Sequence, residues 1–353
     1  MLKVRQMNRL ASVNLLVLLC CASFANAQSS VEDALFQSSV TSLSQKQFAV
    51  ADSGFKTLQE LESPNPRGLM GRLQVRMAAK DVEGAIRLLQ DELAKDPSNA
   101  LLYMAMGDIA ARAGRFDLAL AQYQQTLGKM KPGADDNLFL NGPGASADPV
   151  EQAVHILVGT EDTPRGLEGV YRRIAEVSLR KGDVKTSLAA TTKMTAIHAT
   201  GPNLTNLAVL LEMDGQKDSA AKAYKAALLA NPNNGVALNN LAFLMSENGG
   251  DLDEALAYAK QGEVLLKGAS EAADTVGWIY LKKGNTDIAI TKFAQAFRVS
   301  PANKSYRDHL SQAFAKTSNG SPAVEALQEA LKSQNNAENQ KKILELLDRL
   351  SPK

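Results

Sequence analysis

Nine small residues recur along this 353-residue chain at nearly constant intervals: Ala51, Ala85, Ala119, Ala153, Ser187, Ala220, Ala255, Ala289 and Ala323. Successive steps are 34, 34, 34, 34, 33, 35, 34 and 34 residues. A fixed period in this range marks a repeat architecture, and a period near 34 is the length of a two-helix unit. Chains built this way stack their units side by side and serve as binding surfaces far more often than as catalysts.

The unit from Ser270 to Asn303 shows how each repeat works. Ala273, Val276, Gly277 and Tyr280 fall at i, i+3, i+4 and i+7, one face of a first helix. Lys283-Gly284-Asn285 is a turn in which Gly can take a positive φ and end that helix. Ile288, Ala289, Phe293 and Ala296 carry the second helix, and Pro301 stops it. Gly277 and Ala289 sit where two helices must approach closely; Tyr280 and Phe293 fill the space between them.

These residues resemble the tetratricopeptide repeat. Its pattern asks for large residues early in the first helix, Gly or Ala at the eighth position, a small residue at the twentieth, a large one at the twenty-fourth, Ala at the twenty-seventh and Pro at the thirty-second. The unit from Gly201 supplies Leu204, Leu207, Ala208, Leu211, Ala220, Tyr224, Ala227 and Pro232. The unit from Ala100 supplies Tyr103, Met106, Gly107, Ala110, Ala119 and Tyr123, and the unit from Pro66 supplies Leu69, Ala85, Leu89 and Pro97. Units from Glu32, Glu168, Gly235 and Lys304 match more loosely. The unit from Gly235 has one extra turn residue in Glu247-Asn248-Gly249-Gly250, and Thr191 and Ala259 replace the large residue at the twenty-fourth position. The resemblance implies an all-α fold: a right-handed α-solenoid of eight full helix-turn-helix units plus one half-unit.

Residues 134–167 keep the register through Ala153 and Leu157 but lack a first helix. In its place, from Pro132 to Gly144, runs a string of turn formers enclosing Leu138, Phe139 and Leu140. The expectation is an irregular loop, then a helix from about Pro149 to Val158. At the other end, Ile343, Leu344, Leu347 and Leu350 share one face of a segment from Ala337 to Leu350. An amphipathic helix there caps the apolar face of the last repeat. The sequence thus divides into a signal peptide (1–27), three N-terminal units (32–133), the loop and half-repeat (134–167), five C-terminal units (168–337), and a capping helix and tail (338–353).

The first segment is read from Lys3, Arg5 and Arg9, the short apolar run from Leu10 to Phe24, and the Ala25-Asn26-Ala27 cleavage site. Both cysteines, Cys20 and Cys21, lie inside it, so the exported chain from Gln28 carries no disulfide or thiol chemistry. A lipid anchor at Cys20 or Cys21 is the alternative, but neither follows the small residue that lipid attachment requires. Removing the three basic residues and no acidic one leaves 36 basic against 38 acidic. A near-neutral chain without basic runs argues against nucleic acid or an anionic membrane as partner. A signal segment, repeats of this type and no Cys point to the bacterial periplasm. Three N-x-S/T matches, at Asn203, Asn303 and Asn319, would matter only in a eukaryotic secretory route.

No catalytic, cofactor or metal constellation stands out. His155, His198 and His309 are each isolated in sequence, and no H-E-x-x-H, G-x-S-x-G or phosphate-binding Gly loop occurs. An enzyme would need a site in the 134–148 loop, where Asp135, Asp136 and Asp148 are the titratable candidates and solvated loop acids explain them better.

In the tetratricopeptide family the first helices line the concave face and contact partners. One such groove clamps a C-terminal carboxylate with Lys and Asn from three repeats. Here Asn240 matches one position, but Thr205 and Val209 stand where Lys and Asn are needed, and Glu271 and Thr275 where Lys and Arg are needed. An acidic C-terminal tail is therefore not expected. The ninth position of successive units reads Val40, Gln74, Asp108, Glu176, Val209, Phe243, Trp278 and Gln312, so three consecutive units place Val, Phe and the sole Trp in one slot. Val209, Asn239, Phe243, Asp274 and Trp278 are the candidate partner-binding groove, although such rings can equally pack on the neighbouring repeat. Segments 239–243 and 274–280 also resemble paired repeats of bacterial envelope proteins tied to exopolysaccharide export and surface-protein sorting.

The reading that follows is an exported, non-enzymatic scaffold binding a protein or peptide segment in the cell envelope. The alternative is an accessory component of exopolysaccharide export or surface-protein sorting; the low aromatic content, 5%, counts against a polysaccharide-binding groove.

Overall fold

A computed structural model describes residues 30–61, 66–130, 166–316, 321–333 and 336–350. Among these residues there are seventeen helices and no strand. The expected signal segment with Cys20 and Cys21, the 131–148 loop and the 149–158 helix lie outside the described residues, as does the side chain of Ala323. The chain divides into two compact units between Met194 and Thr195.

The first unit contains α1 (Ser30–Ser44), α2 (Phe48–Leu61), α3 (Pro66–Ala78), α4 (Val82–Leu93), α5 (Ala100–Arg112), α6 (Phe116–Lys129), α7 (Gly166–Lys181) and most of α8 (Val184–Ile197). Connections of two to six residues within each run force consecutive helices into hairpins. Asp81 caps α4 by accepting from Gly84 N, and Asn99 caps α5 by accepting from Leu101 N. The tight turn inside each pair needs one residue with positive φ. Gly114 supplies it at 76°, but Lys80 and Lys46, one and two periods earlier, hold the same conformation at 59° and 60°.

α6 packs directly against α7, and Ala119, Tyr123 and Met130 share one core with Val170, Ile174 and Val177. The two helices are thus neighbours in space although residues 131–165 separate them in the chain. Arg173 on α7 reaches back to α5: its Nε donates to both oxygens of Asp108 at 3.0 and 3.1 Å. The Tyr123 hydroxyl also donates to Asp108, at 2.6 Å. Burial, followed by the charge and hydrogen bond of Asp108, pushes that hydroxyl far above the usual phenol range.

The second unit contains α9 (Gly201–Met213), α10 (Lys217–Ala230), α11 (Gly235–Glu247), α12 (Leu252–Leu265), α13 (Ser270–Lys282), α14 (Thr286–Val299), α15 (Lys304–Phe314), α16 (Ser321–Ser333) and α17 (Ala337–Leu350). The expected small-to-large packing is present. A Cβ added to Gly277 would lie 2.9 Å from the Phe293 ring, so α13 and α14 can approach this closely only because Gly277 has no side chain. Seven residues of the small-residue ladder, from Ala51 to Ala289 and including Ser187, are at most 1% exposed. Thr191 and Ala259, the departures from a large residue, are also buried.

α17 covers the end of the last pair: Ile343 is buried with Leu310 and Leu327, and Leu347 packs beside them. Leu344 departs from the face assigned by sequence and is 52% exposed. Leu344 lies about 100° around the helix from Ile343, off the face that meets Leu310 and Leu327.

Candidate functional site

Within the second unit, the first helices of four successive pairs contribute to one open cavity of about 240 Å³. α9 gives Glu212; α11 gives Asn239, Asn240 and Phe243; α13 gives Glu271, Asp274 and Thr275; α15 gives Tyr306. The spacing explains the convergence. Asn239 and Phe243 are i, i+4 on one helix face, and one repeat further on Asp274 falls in the slot of Asn239. Local capping sets the start of α11, where the Asn234 side chain accepts from Ala237 N at 3.1 Å and its Nδ2 donates to Thr205 Oγ1 at 2.7 Å.

Three of the five residues singled out from sequence, Asn239, Phe243 and Asp274, line the cavity. Phe243 is half-buried there. Val209 and Trp278 do not line it: Val209 is half-buried against the core around Tyr224 and Leu241, and Trp278 against the core around Phe293. Trp278 donates from Nε1 to Glu247 Oε1 at 2.6 Å, lies under Lys282 Nζ, and stacks on His309 at 4.5 Å between ring centroids. Burial would raise the Glu247 carboxyl, but the hydrogen bonds from Lys282 and Trp278 outweigh it and hold it below its usual value.

His309 is isolated in sequence but not in space. Its Nδ1 lies 2.9 and 3.1 Å from the two oxygens of Asp274, and its ring contacts Phe293 as well as Trp278. Asp274 is thus both a wall of the cavity and the anchor of a His–Trp stack. Burial raises its carboxyl above the usual range, with the His309 contact opposing. Glu212 is raised in the same way, with the hydrogen bond from the Tyr224 hydroxyl opposing. Tyr224 in turn accepts from Asn240 Nδ2 at 3.1 Å, and Asn239 Nδ2 donates to Asn240 Oδ1 at 3.1 Å. This chain of hydrogen bonds leaves one end open: Asn239 Oδ1 is buried and has no partner.

Sequence reasoning missed Glu212, Tyr306 and the His309–Asp274 pairing. Tyr306 and His309 lie in a loosely matched unit, where register was hardest to fix, and Glu212 lies at the end of its helix. Glu271, Thr275 and Asn240 were visible as clamp positions. Glu271 and Thr275 do line the cavity, with acidic and neutral side chains in place of the cations a carboxylate clamp needs.

Among the described residues no group of three or more His, Cys, Asp or Glu is placed to hold a metal ion, and no helix is long and apolar enough to cross a membrane.

Known proteins bear on this geometry in two ways. Two models of the tetratricopeptide repeat match the chain, one over residues 70–135 and 277–338 and the other over residues 223–257. No curated protein sequence matches. Among solved structures, the C-terminal part of a TPR repeat-containing protein from Cytophaga hutchinsonii is similar, with a TM-score of 0.50 and 15% identity over 78% of this chain and 99% of that one. YrrB, described as a TPR protein with an unusual peptide-binding site, is 17% identical over 64% of this chain and 97% of its own, with a TM-score of 0.43. MamA from Desulfovibrio magneticus RS-1 is 18% identical over 53% and 98%, with a TM-score of 0.40. At these identities the likeness is one of fold. The matched repeat models, the paired helices and the small-residue ladder converge: the chain belongs to the tetratricopeptide-repeat family, an all-α solenoid of the class that serves as a protein-interaction scaffold.

Proposed function

We propose that this protein is an exported scaffold of the bacterial cell envelope that holds a peptide segment of a partner protein in the groove of its second unit. The observation carrying this reading is the half-buried Phe243 ring beside the unpartnered Asn239 Oδ1, on first helices and in one cavity. A buried acceptor without a partner costs free energy, roughly 1–3 kcal/mol, and a donor from a bound chain would recover it. A ring lining a groove supplies apolar contact area of the kind that anchors interfaces. Phe243 and Asn239 form the contact and Asp274 is part of the same wall, while Val209 and Trp278, packed on the cores beneath, serve the fold. The basic, then apolar, then Ala-x-Ala character of residues 1–27 supports export to the periplasm.

The test is affinity capture from a native periplasmic extract with the protein and with its Phe243→Ala variant, read by mass spectrometry. A partner retained by the first and lost from the second is the expected result. Identical captured sets would contradict the groove assignment. An exopolysaccharide-export role would call for aromatic platforms, and this groove carries just Phe243 and Tyr306 among its lining residues.

A further inference from the structure

The lining of the cavity is one-sided in charge. Glu212, Glu271 and Asp274 are all carboxylates, and no Lys, Arg or His lines it. The groups that act on these carboxylates lie outside the lining, the His309 ring on Asp274 and Lys217 on Glu212. Glu271 is exposed and accepts from Ser270 Oγ at 3.3 Å. The remaining polar vacancy is also an acceptor: Asn239 is 6% exposed, lines the cavity and leaves its Oδ1 unpartnered. What is missing is donors and positive charge. The half-buried Phe243 ring adds a π face to the same space.

From this we infer that the groove takes an arginine side chain of its partner. This rests on the reading of the groove as a peptide site. A guanidinium presents five N–H donors in a planar fork, which can meet Asn239 Oδ1 and the carboxylates of Glu271 and Asp274 together. Its flat, weakly hydrated surface stacks on an aromatic ring, here Phe243, better than an ammonium does. The sign of the site is opposite to that of a carboxylate clamp. Glu271 and Thr275 occupy the positions where such a clamp carries its cations, so a partner's C-terminal carboxylate is repelled and its arginine drawn in.

Three pools of nine-residue peptides test this. Each is randomised over small and apolar residues and fixed at the central position as Arg, Gln or Glu. Binding is followed by the fluorescence of Trp278, the single tryptophan, which stacks on the His309 that holds Asp274. The Arg pool should bind best. Glu271→Gln should weaken it about fivefold and Glu271→Lys more than tenfold, while Asp218→Asn on α10, away from the cavity, should change nothing. Glu271 is exposed, so neither change threatens folding, and circular dichroism verifies this. If the Gln or Glu pool binds as well as the Arg pool and Phe243→Ala abolishes that binding, the arginine inference is overturned and the peptide groove stands. If no pool's binding depends on Phe243, both fall.

Discussion

Lys80 and Glu212 are each held in a state that their own chemistry disfavours. Lys80 sits at φ 59° in the turn between α3 and α4, a conformation that costs a side-chain-bearing residue roughly 1–2 kcal/mol and a glycine almost nothing. Lys80→Gly should therefore stabilise the protein by about 1 kcal/mol, after the entropy that Gly adds to the unfolded chain is subtracted. Gly284→Ala, at φ 81° in the equivalent turn of the second unit, should destabilise by a similar amount. Urea midpoints for the two variants shifting in the same direction would contradict this. Glu212 is strained electrostatically. Burial raises its carboxyl in the folded state, so the ionised form is favoured in the unfolded chain, and its contribution to stability falls as pH rises through the raised value. Glu212→Gln should stabilise the protein at pH 7, and that gain should vanish near pH 3, where both forms are neutral. A gain independent of pH would show that desolvation is not the cause. Groups kept at a cost in a groove are the usual mark of a site held for binding.

At the scale of the helix pair, stability comes from a close approach licensed by small residues, with a large ring such as Phe55, Tyr123, Tyr224 or Phe293 filling the space in several pairs. Ala289 is fully buried between α13 and α14, so Ala289→Leu inserts volume that the pair cannot accept, at a cost of roughly 1–3 kcal/mol. Because repeats stack as neighbours, the loss should stay local and broaden or split the unfolding transition. An unchanged denaturation curve would mean the packing register is wrong. This level of the fold was legible in the sequence, because a helical hairpin needs a small residue at a fixed place and the chain supplies it every 34 residues. Contacts between elements distant in sequence were not legible. Nothing in the spacing of Asp108 and Arg173 announces that their side chains meet, since residues 131–165 separate α6 from the helix it packs against. His309, alone in sequence, gains Asp274 and Trp278 as neighbours through stacking of α15 on the preceding pair. The same limit applied to the groove. Phe243, Asn239 and Asp274 could be placed in one slot by periodicity. The acidic Glu212 and the Tyr306 wall depend on how three dimensions close around that slot.

For the molecule as a whole, a repeat scaffold separates residues that hold the fold from residues that offer a surface. Phe293 and Phe243 embody the two roles in the second unit. Phe293 is fully buried against Gly277, whereas Phe243 stands half-buried in the wall of the cavity. On the proposed reading, Phe243 is kept for contact with a partner and not for folding. Urea unfolding of Phe243→Ala beside Phe293→Ala tests it most directly. Phe293→Ala should cost about 3–5 kcal/mol, as core ring deletions do, and Phe243→Ala less than about 1.5 kcal/mol. A loss for Phe243→Ala as large as that for Phe293→Ala would make the ring a core residue and contradict the binding groove.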